Sequence, residues 1–157
     1  MSDELRIIDP VPRDAAGTTE IGFSIPARYN ASAILFDNIA AGRGARTAVT
    51  GPGGSRSYAE LADAAGRMGA GLLSLGAARG DRILLFLDDT PACPAVVFGA
   101  MRAGLVPLLI NTLTPSDLLQ FYLADSGAPV AVCDAAFSDR FNATACTGTR
   151  LKTLVIV

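Results

Sequence analysis

Three closely spaced glycines are the first residues of this sequence that suggest chemistry. Gly66, Gly69 and Gly71 lie in the segment AGRMGAGLLSLGAARGD, residues 65–81. Glycine-rich segments bind phosphate when they lie between a strand and the first turn of a helix, because the free N–H groups there point at the anion. Two interpretations follow: a nucleotide-binding loop, or glycines inside a helix that allow close packing.

A pair of carboxylates suggests a second kind of chemistry. Asp88 and Asp89 directly follow the apolar run RILLFL, residues 82–87, and paired carboxylates can hold Mg²⁺, as in phospho-acceptor receiver domains. Such a site also needs a lysine at a neighbouring strand end. The only lysine, Lys152, opens the last apolar run instead of following it. We therefore interpret the pair as a solvated acidic loop ahead of a helix.

Asn111 and Thr112 are the candidate ligand-binding residues. They follow the apolar run LVPLLI, residues 105–110, and ligands of open parallel sheets bind beyond the carboxyl ends of the strands. Asn and Thr side chains also commonly bond local backbone groups in turns. The pattern leaves both roles open.

Several kinds of catalytic site are excluded by what the sequence lacks. There is no histidine, which removes Ser-His-Asp triads and histidine metal ligands. The three cysteines, Cys93, Cys133 and Cys146, show no CxxC spacing, so neither a zinc site nor a disulfide framework is indicated. We assign no catalytic residue and no metal site, and expect the cysteines to be small buried hydrophobes.

Charge and hydropathy limit the partners. The net charge is −2 and no run of Lys or Arg occurs, so we expect neither a nucleic-acid nor a membrane partner. The N-terminus has no apolar signal segment, and the longest apolar stretch, residues 91–101, is too short for a bilayer; we therefore expect a cytoplasmic protein. Half the residues are hydrophobic and 18% are charged, which suggests either elements that are buried on several sides or apolar surface that another polypeptide covers.

The start of a helix decides how the glycines are interpreted. Ser57 and Glu60 have the S-x-x-E spacing of a capping box, in which each side chain accepts a hydrogen bond from a backbone N–H of the other residue. A helix that begins there contains all three glycines, and their N–H groups are bonded to carbonyls four residues earlier. We therefore favour the packing interpretation, with the helix backbone approaching a sheet closely.

Strands and helices alternate along the rest of the chain. We predict strands at 82–87, 105–110, 129–133 and 151–157, and helices at 30–41, 90–103, 114–126 and 135–146. Asn30 and Thr90 are the predicted N-caps of their helices, and Gly76 is predicted to follow the end of the helix that begins at Ser57. This alternation predicts an α/β fold with a parallel, doubly wound, Rossmann-like sheet and flanking helices. Pro107 suggests a bulge or irregular pairing in its strand.

The domain organisation follows from the same pattern. Residues 1–29 contain three prolines and little periodicity, which predicts an extended N-terminal arm or a disordered segment, while residues 30–157 are predicted to form the α/β unit. The last predicted strand is strongly apolar and is followed by no covering helix, so we expect an incomplete, N-terminal part of a larger domain.

Several segments in this order resemble the N-terminal subdomain of the adenylate-forming acyl-CoA synthetases. The resemblance covers residues 22–157, and RYNASAILFDNIAAGRG together with the NT after LLI is most similar to the benzoate- and 4-hydroxybenzoate-CoA ligase branch. The segments that carry it are SYAEL, GAARGDRILLFL, FGAMRAGLVPLLINT and LLQFYLADSGAPVAV.

The resemblance implies a ligase that uses ATP, Mg²⁺ and coenzyme A in its full-length form. A carboxylate, aromatic or another small acid, attacks the α-phosphate of ATP to give an acyl-adenylate, and the thiol of coenzyme A then displaces AMP. The family's catalytic motifs and acid pocket lie mostly after the segment that this chain resembles, so the chain alone is expected to hold no cofactor and to be inactive. Its implied partner is the remainder of the ligase. Asn111 and Thr112 are the positions implied to border the active site, although the loop NTLTPSD is one residue shorter than usual.

Two other functions remain open. One is a stand-alone nucleotide- or ligand-binding α/β module, which predicts a saturable thermal shift with ATP, AMP or coenzyme A. Alternatively it is a non-catalytic interaction fragment that pairs through an unfinished sheet edge, and a homo-oligomer would fit that function.

Overall fold

A parallel sheet forms the centre of the chain in the computed structural model, which describes residues 29–157. Within that part, the strands are β1 Thr47–Gly51, β2 Gly54–Ser57, β3 Arg82–Phe86, β4 Val106–Leu109, β5 Val130–Cys133 and β6 Thr153–Ile156. Four of them make one sheet in the order β4-β3-β5-β6, and each neighbouring pair is parallel. The predicted parallel α/β sheet is confirmed.

Helices connect the strands and cover both faces of the sheet. The α-helices of the described chain are α1 Ala33–Asn38, α2 Tyr58–Ser74, α3 Ala92–Arg102, α4 Ser116–Ser126 and α5 Ala143–Cys146. A π-helical turn, Ile39–Arg43, follows α1, and a 3-10 helix, Ala135–Arg140, precedes α5. The single helix predicted for residues 135–146 is therefore two short helical segments.

Two apolar clusters, one on each side of the sheet, hold these layers together. Ile83 and Leu85 of β3 belong to the cluster that includes residues of α2 and α3. Leu84 and Phe86, the alternate residues of the same strand, belong to the cluster that includes residues of α4 and α5. All four side chains are almost completely buried, which explains why β3 reads as a continuous apolar run.

The capping box predicted at the start of α2 is present. The Ser57 backbone N–H donates to Glu60 Oε2 at 2.8 Å, and the Glu60 N–H donates to Ser57 Oγ at 3.3 Å. At the other end Gly76 has a φ of 91°, the left-handed conformation that glycine adopts most easily after a helix. Both helix boundaries were predicted from the sequence.

The carboxylate of Glu60 makes this helix start sensitive to acid. The backbone hydrogen bond from Ser57, then that residue's side-chain hydrogen bond, lower the pKa of Glu60 below its ordinary 4.5. A lowered pKa stabilises the fold above the ordinary value, and this stabilisation is lost as the pH falls through the pKa of the folded state. We expect the free energy of unfolding of the wild type to fall more steeply than that of Glu60→Gln between about pH 6 and about pH 3 in urea titrations. Parallel pH profiles for the two proteins would contradict this expectation.

Pro107 does not cause the irregular pairing that the sequence predicted. It pairs in register with Ile83, and β4 lies at one edge of the sheet that the described residues form. The N–H groups of Val106 and Ile110 donate to carbonyls of Asp81 and Leu85, each at 2.9 Å. Because alternate residues point to the same side, the nitrogen of Pro107 points away from β3, where no ladder hydrogen bond is lost.

Two helix starts differ slightly from the prediction. Asn30, the predicted N-cap, accepts a hydrogen bond from the Ser32 N–H at 3.0 Å, and Ser32 is the residue that precedes α1. Thr90 was predicted to cap the next helix, but Pro91 occupies that position. In both cases a turn precedes the regular helix and shifts its start by one or two residues.

Two further expectations concern the N-terminal arm and the presence of a membrane-spanning helix. The arm predicted for residues 1–29 lies, except for Tyr29, outside the described residues. Among residues 29–157, every helix is too short or too polar to cross a lipid bilayer.

Candidate functional site

The glycine cluster lies inside a helix and does not form a phosphate-binding loop. Gly66, Gly69 and Gly71 all fall within α2, whose first residue is Tyr58. The N–H groups that an anion would need are therefore enclosed within the helix, away from its positive end. This confirms the interpretation drawn from the capping box.

The close approach that these glycines permit is to another helix, which corrects the predicted approach to a sheet. A Cβ placed on Gly69 would lie 2.6 Å from the carbonyl oxygen of Gly99 in α3. A Cβ placed on Gly99 would lie 2.7 Å from the carbonyl oxygen of Ala65 in α2. Gly66 and Gly71 meet nothing within 4 Å, so the packing argument applies to Gly69 alone of the three.

A cavity of about 270 Å³ lies at the carboxyl ends of β3 and β4, and we call it the strand-end cavity. It brings together the two loops that the sequence singled out. Its lining consists of Leu85, Leu87, Asp88, Asp89, Cys93, Leu109, Ile110, Asn111 and Thr112. Open parallel sheets bind ligands at such positions, so this cavity is the candidate functional site of the described chain.

The side chains of Asn111 and Thr112 make different contacts. Asn111 Oδ1 accepts a hydrogen bond from the Leu113 N–H at 2.8 Å, which is the local turn contact that the sequence left open. Thr112 Oγ1 instead donates to Asp88 Oδ1 at 2.8 Å, between residues 24 positions apart. The two candidate loops are therefore hydrogen-bonded to each other.

Asp134 is a residue of this region that the sequence interpretation missed. It follows β5, and its Oδ2 accepts a hydrogen bond from the Asp88 N–H at 2.7 Å. The available signal was its position directly after the apolar run of residues 129–133, by the same reasoning that selected Asp88. What the sequence did not reveal is that β5 lies beside β3.

Burial and nearby carboxylates both favour the protonated thiol of Cys93, the cysteine of the cavity lining. Burial, then the charges of Asp89 and Asp134, raise the pKa of the Cys93 thiol above its ordinary 9.0. Burial also raises the pKa of Cys133 and Cys146. A thiol in this state is a poor nucleophile and a poor metal ligand at neutral pH. Cys93 and Cys133 are buried as expected, whereas Cys146 is only partly buried.

The described residues offer neither an all-protein cage for a metal ion nor a cation for a phosphate chain. Among residues 29–157, no group of three or more His, Cys, Asp or Glu side chains is arranged to hold a metal ion. The described lining of the strand-end cavity contains two aspartates and no Lys or Arg. A bound phosphate or carboxylate there would be repelled by like charges without a compensating cation.

Comparison with known proteins identifies relatives of this chain. Residues 36–157 match the family described as AMP-binding enzyme. The chain is 38% identical over 130 residues to the 4-hydroxybenzoate–CoA/benzoate–CoA ligase of Rhodopseudomonas palustris, which covers 82% of this chain. It is 40% identical over 116 residues to the benzoate–CoA ligase of Thauera aromatica, which covers 73% of this chain.

Solved structures agree with the sequence comparison. A benzoate CoA ligase from Burkholderia xenovorans LB400 superimposes with a TM-score of 0.75 and 31% identity, over 83% of this chain and 26% of that one. The anthranilate CoA ligase AuaEII in complex with anthranoyl-AMP superimposes with a TM-score of 0.80 and 25% identity, over 85% of this chain and 26% of that one. The chain spans about a quarter of the length of its relatives, 24% and 22% for the two curated ligases.

Proposed function

The chain belongs to the family of AMP-binding enzymes, and on this basis we propose that it is the N-terminal part of an ATP-dependent aryl-acid–CoA ligase. The observation that carries the proposal is its similarity, over 82% of its residues, to a ligase named for benzoate and 4-hydroxybenzoate. The related structure that contains anthranoyl-AMP supports an aryl-adenylate intermediate. The substrate class we propose is therefore an aromatic carboxylate.

The proposed reaction has two steps. The carboxylate oxygen attacks the α-phosphorus of ATP, the bond to the β-phosphate oxygen breaks, and pyrophosphate leaves. The thiol of coenzyme A, which loses its proton, then attacks the acyl carbon, and AMP leaves with the electron pair of the acyl–oxygen bond. The products are the aryl-CoA thioester, AMP and pyrophosphate.

The role we propose for this chain is structural support and one wall of the substrate cleft. Asn111 and Thr112 lie on the strand-end cavity, where they would border the substrate. The acidic lining argues that the phosphates and the carboxylate are bound by residues of the ligase outside 29–157. No catalytic step is assigned to a residue of the described chain.

An apolar groove supports the proposal that further polypeptide packs on this unit. The groove measures about 390 Å³ and is lined mainly by apolar residues, among them Met68 and Leu75 of α2 and Val155 and Val157 at β6. Beside it, β6 is an edge strand of the described sheet, and Ile156 is 55% exposed. The remainder of the ligase, about three quarters of a relative's length, is the occupant we propose.

A stand-alone ligand-binding module is the alternative, because the strand-end cavity is present without any other chain. A thermal-shift titration separates the two functions. We expect ATP, AMP and coenzyme A each to change the Tm of the isolated chain by less than about 1 °C, since a ligand that is not bound stabilises nothing. A saturable rise in Tm that Thr112→Val abolishes would favour the alternative and locate the ligand in the cavity.

Activity of the longer protein tests the proposed function directly. The chain, continued by the ligase sequence that we propose follows it, should release pyrophosphate from ATP when benzoate is added. It should form a thioester only when coenzyme A is also present. Activation of other carboxylates but not of aromatic ones would contradict the proposed substrate class.

A further inference from the structure

A path of two hydrogen bonds crosses the carboxyl ends of three neighbouring strands. The Asp134 carboxylate, after β5, accepts from the backbone N–H of Asp88 at 2.7 Å. The Asp88 carboxylate, after β3, accepts from the hydroxyl of Thr112, after β4, at 2.8 Å. The strand order β4-β3-β5 places these loops side by side, so Asp88 links both of its neighbours.

We propose that Asp88 is a positioning residue, which holds the loop of residues 110–114 in place at the strand-end cavity. Its importance for catalysis rests on the proposed function, in which Asn111 and Thr112 border the substrate. Asp88 acts through Thr112, and no contact between Asp88 and substrate is required.

The other contacts of the loop show why Asp88 matters. The loop is anchored at its start by the Ile110 N–H, which donates to the Leu85 carbonyl at 2.9 Å. At its end, the Arg140 guanidinium donates to the Thr114 carbonyl. Between these anchors, the hydroxyl of Thr112 bonds to the neighbouring strand's loop through Asp88. The turn itself is closed by the N–H groups of Leu113 and Thr114, which donate to Asn111 Oδ1 at 2.8 Å and to the Asn111 carbonyl at 2.9 Å. Removal of the Thr112–Asp88 bond detaches this turn from the neighbouring strand's loop but leaves both ends of the loop attached.

The backbone of Asp88 is itself well fixed. Its N–H donates to Asp134, and its carbonyl oxygen accepts from the Thr90 N–H at 2.8 Å, in the turn that leads to α3. An acceptor that is fixed before the bond forms costs little additional ordering entropy. Asp88 therefore restrains the loop of residues 110–114 by linking it to the sheet and to the turn that precedes α3.

The fixed loop also determines which group of Asn111 is available. Asn111 Oδ1 accepts from the Leu113 N–H, so the side-chain Nδ2 is the group left to donate to a ligand. The cavity wall at this position then suits a ligand group that accepts a hydrogen bond. Loss of the Asp88–Thr112 bond would let the turn open and the amide rotate, and that preference would be lost.

Amide exchange in the 157-residue chain tests the positioning role without any need for activity. In Asp88→Ala and in Thr112→Val, we expect the exchange rates of the Leu113 and Thr114 amides, measured by NMR, to rise about threefold to tenfold, as for loss of a partly exposed hydrogen bond to a charged acceptor. The double variant should exchange no faster than either single variant, because both changes remove the same bond. Thr112→Ser keeps the hydroxyl and should retain the wild-type rates.

Asp89→Ala is the matched control, since it removes a neighbouring carboxylate of the same loop and the same charge. It should leave the exchange of Leu113 and Thr114 unchanged, and the core amides of Leu85 and Val132 should keep their wild-type protection in every variant. Equal effects of Asp88→Ala and Asp89→Ala, or a rise that includes the core amides, would overturn the proposal.

The longer ligase gives a second readout that separates this proposal from the proposed function. Asp88→Ala and Thr112→Val should each lower kcat/KM, and Thr112→Ser, which keeps the hydroxyl, should retain more of the wild-type value than Thr112→Val. If no ligase activity is found in any form while the exchange results hold, the proposed function fails and the positioning role stands. If activity is present but the exchange rates do not respond, the positioning role is wrong.

Discussion

Gly69→Ala is expected to lower the free energy of unfolding by about 2 kcal/mol. The new methyl group would lie 2.6 Å from the carbonyl oxygen of Gly99, and the atoms in its way belong to the backbone of α3. Extra atoms in a packed core cost about 1–3 kcal/mol and occasionally more. We place this clash at the upper end, about 3 kcal/mol, because a backbone cannot yield as a flexible side chain does. The gain of about 1 kcal/mol from the better helix propensity of alanine is smaller, so the clash decides the sign.

Gly66→Ala is the matched control in the same helix. A Cβ there meets nothing within 4 Å, so helix propensity alone acts, and we expect stabilisation by about 0.5–1 kcal/mol. Urea unfolding of both variants, followed by circular dichroism, measures whether each substitution raises or lowers the free energy of unfolding. A change in the same direction for both variants would show that α2 and α3 do not approach each other as described.

Local sequence patterns predicted much of this fold, because the interactions they report are local. The start of α2 depends on two residues three positions apart, Ser57 and Glu60, whose hydrogen bonds can be read from their spacing. The buried strands were visible because β3 and β5 are covered on both faces and consist almost entirely of apolar residues. The parallel arrangement followed from the helices between the strands.

The long-range contacts could not be predicted in this way. Pairing of β3 with β5 brings Asp134 next to Asp88, residues 46 positions apart, and no periodicity in either segment records it. Similarly, glycine in a helix signals close approach without naming the partner, and the approach of Gly69 was assigned to the sheet when it is to α3. Pro107 was expected to disturb the sheet because its edge position depends on the strand order.

At the candidate site too, the sequence predicted the local features and missed the long-range contacts. The sequence selected the loops after β3 and β4, and the structure brings both to one cavity. The hydrogen bond from Thr112 to Asp88 could be seen only in the structure, because either side chain could equally have bonded to local backbone groups. A ligand-binding role of Asn111 and Thr112 stays a prediction, and binding or activity measurements on variants at these positions test it.

The isolated 157-residue chain is expected to form no aryl-adenylate, which is the largest effect that the proposed function predicts. Adenylation brings a carboxylate to a triphosphate, so the site must neutralise several negative charges in the transition state. The described lining of the strand-end cavity offers aspartates and no cation, and residues 29–157 include no cluster suited to a metal ion. Like charges in such a site raise the barrier instead of lowering it.

Benzoate-dependent exchange of labelled pyrophosphate into ATP measures this directly. We expect the isolated chain, with benzoate, ATP and Mg²⁺, to give no exchange above a control without protein, and the longer ligase under the same conditions to give robust exchange. Robust turnover by a pure sample whose mass matches 157 residues would mean that the chain binds the triphosphate itself. The charge argument from the strand-end cavity would then be wrong, because the required cations would have to come from residues that its described lining does not include.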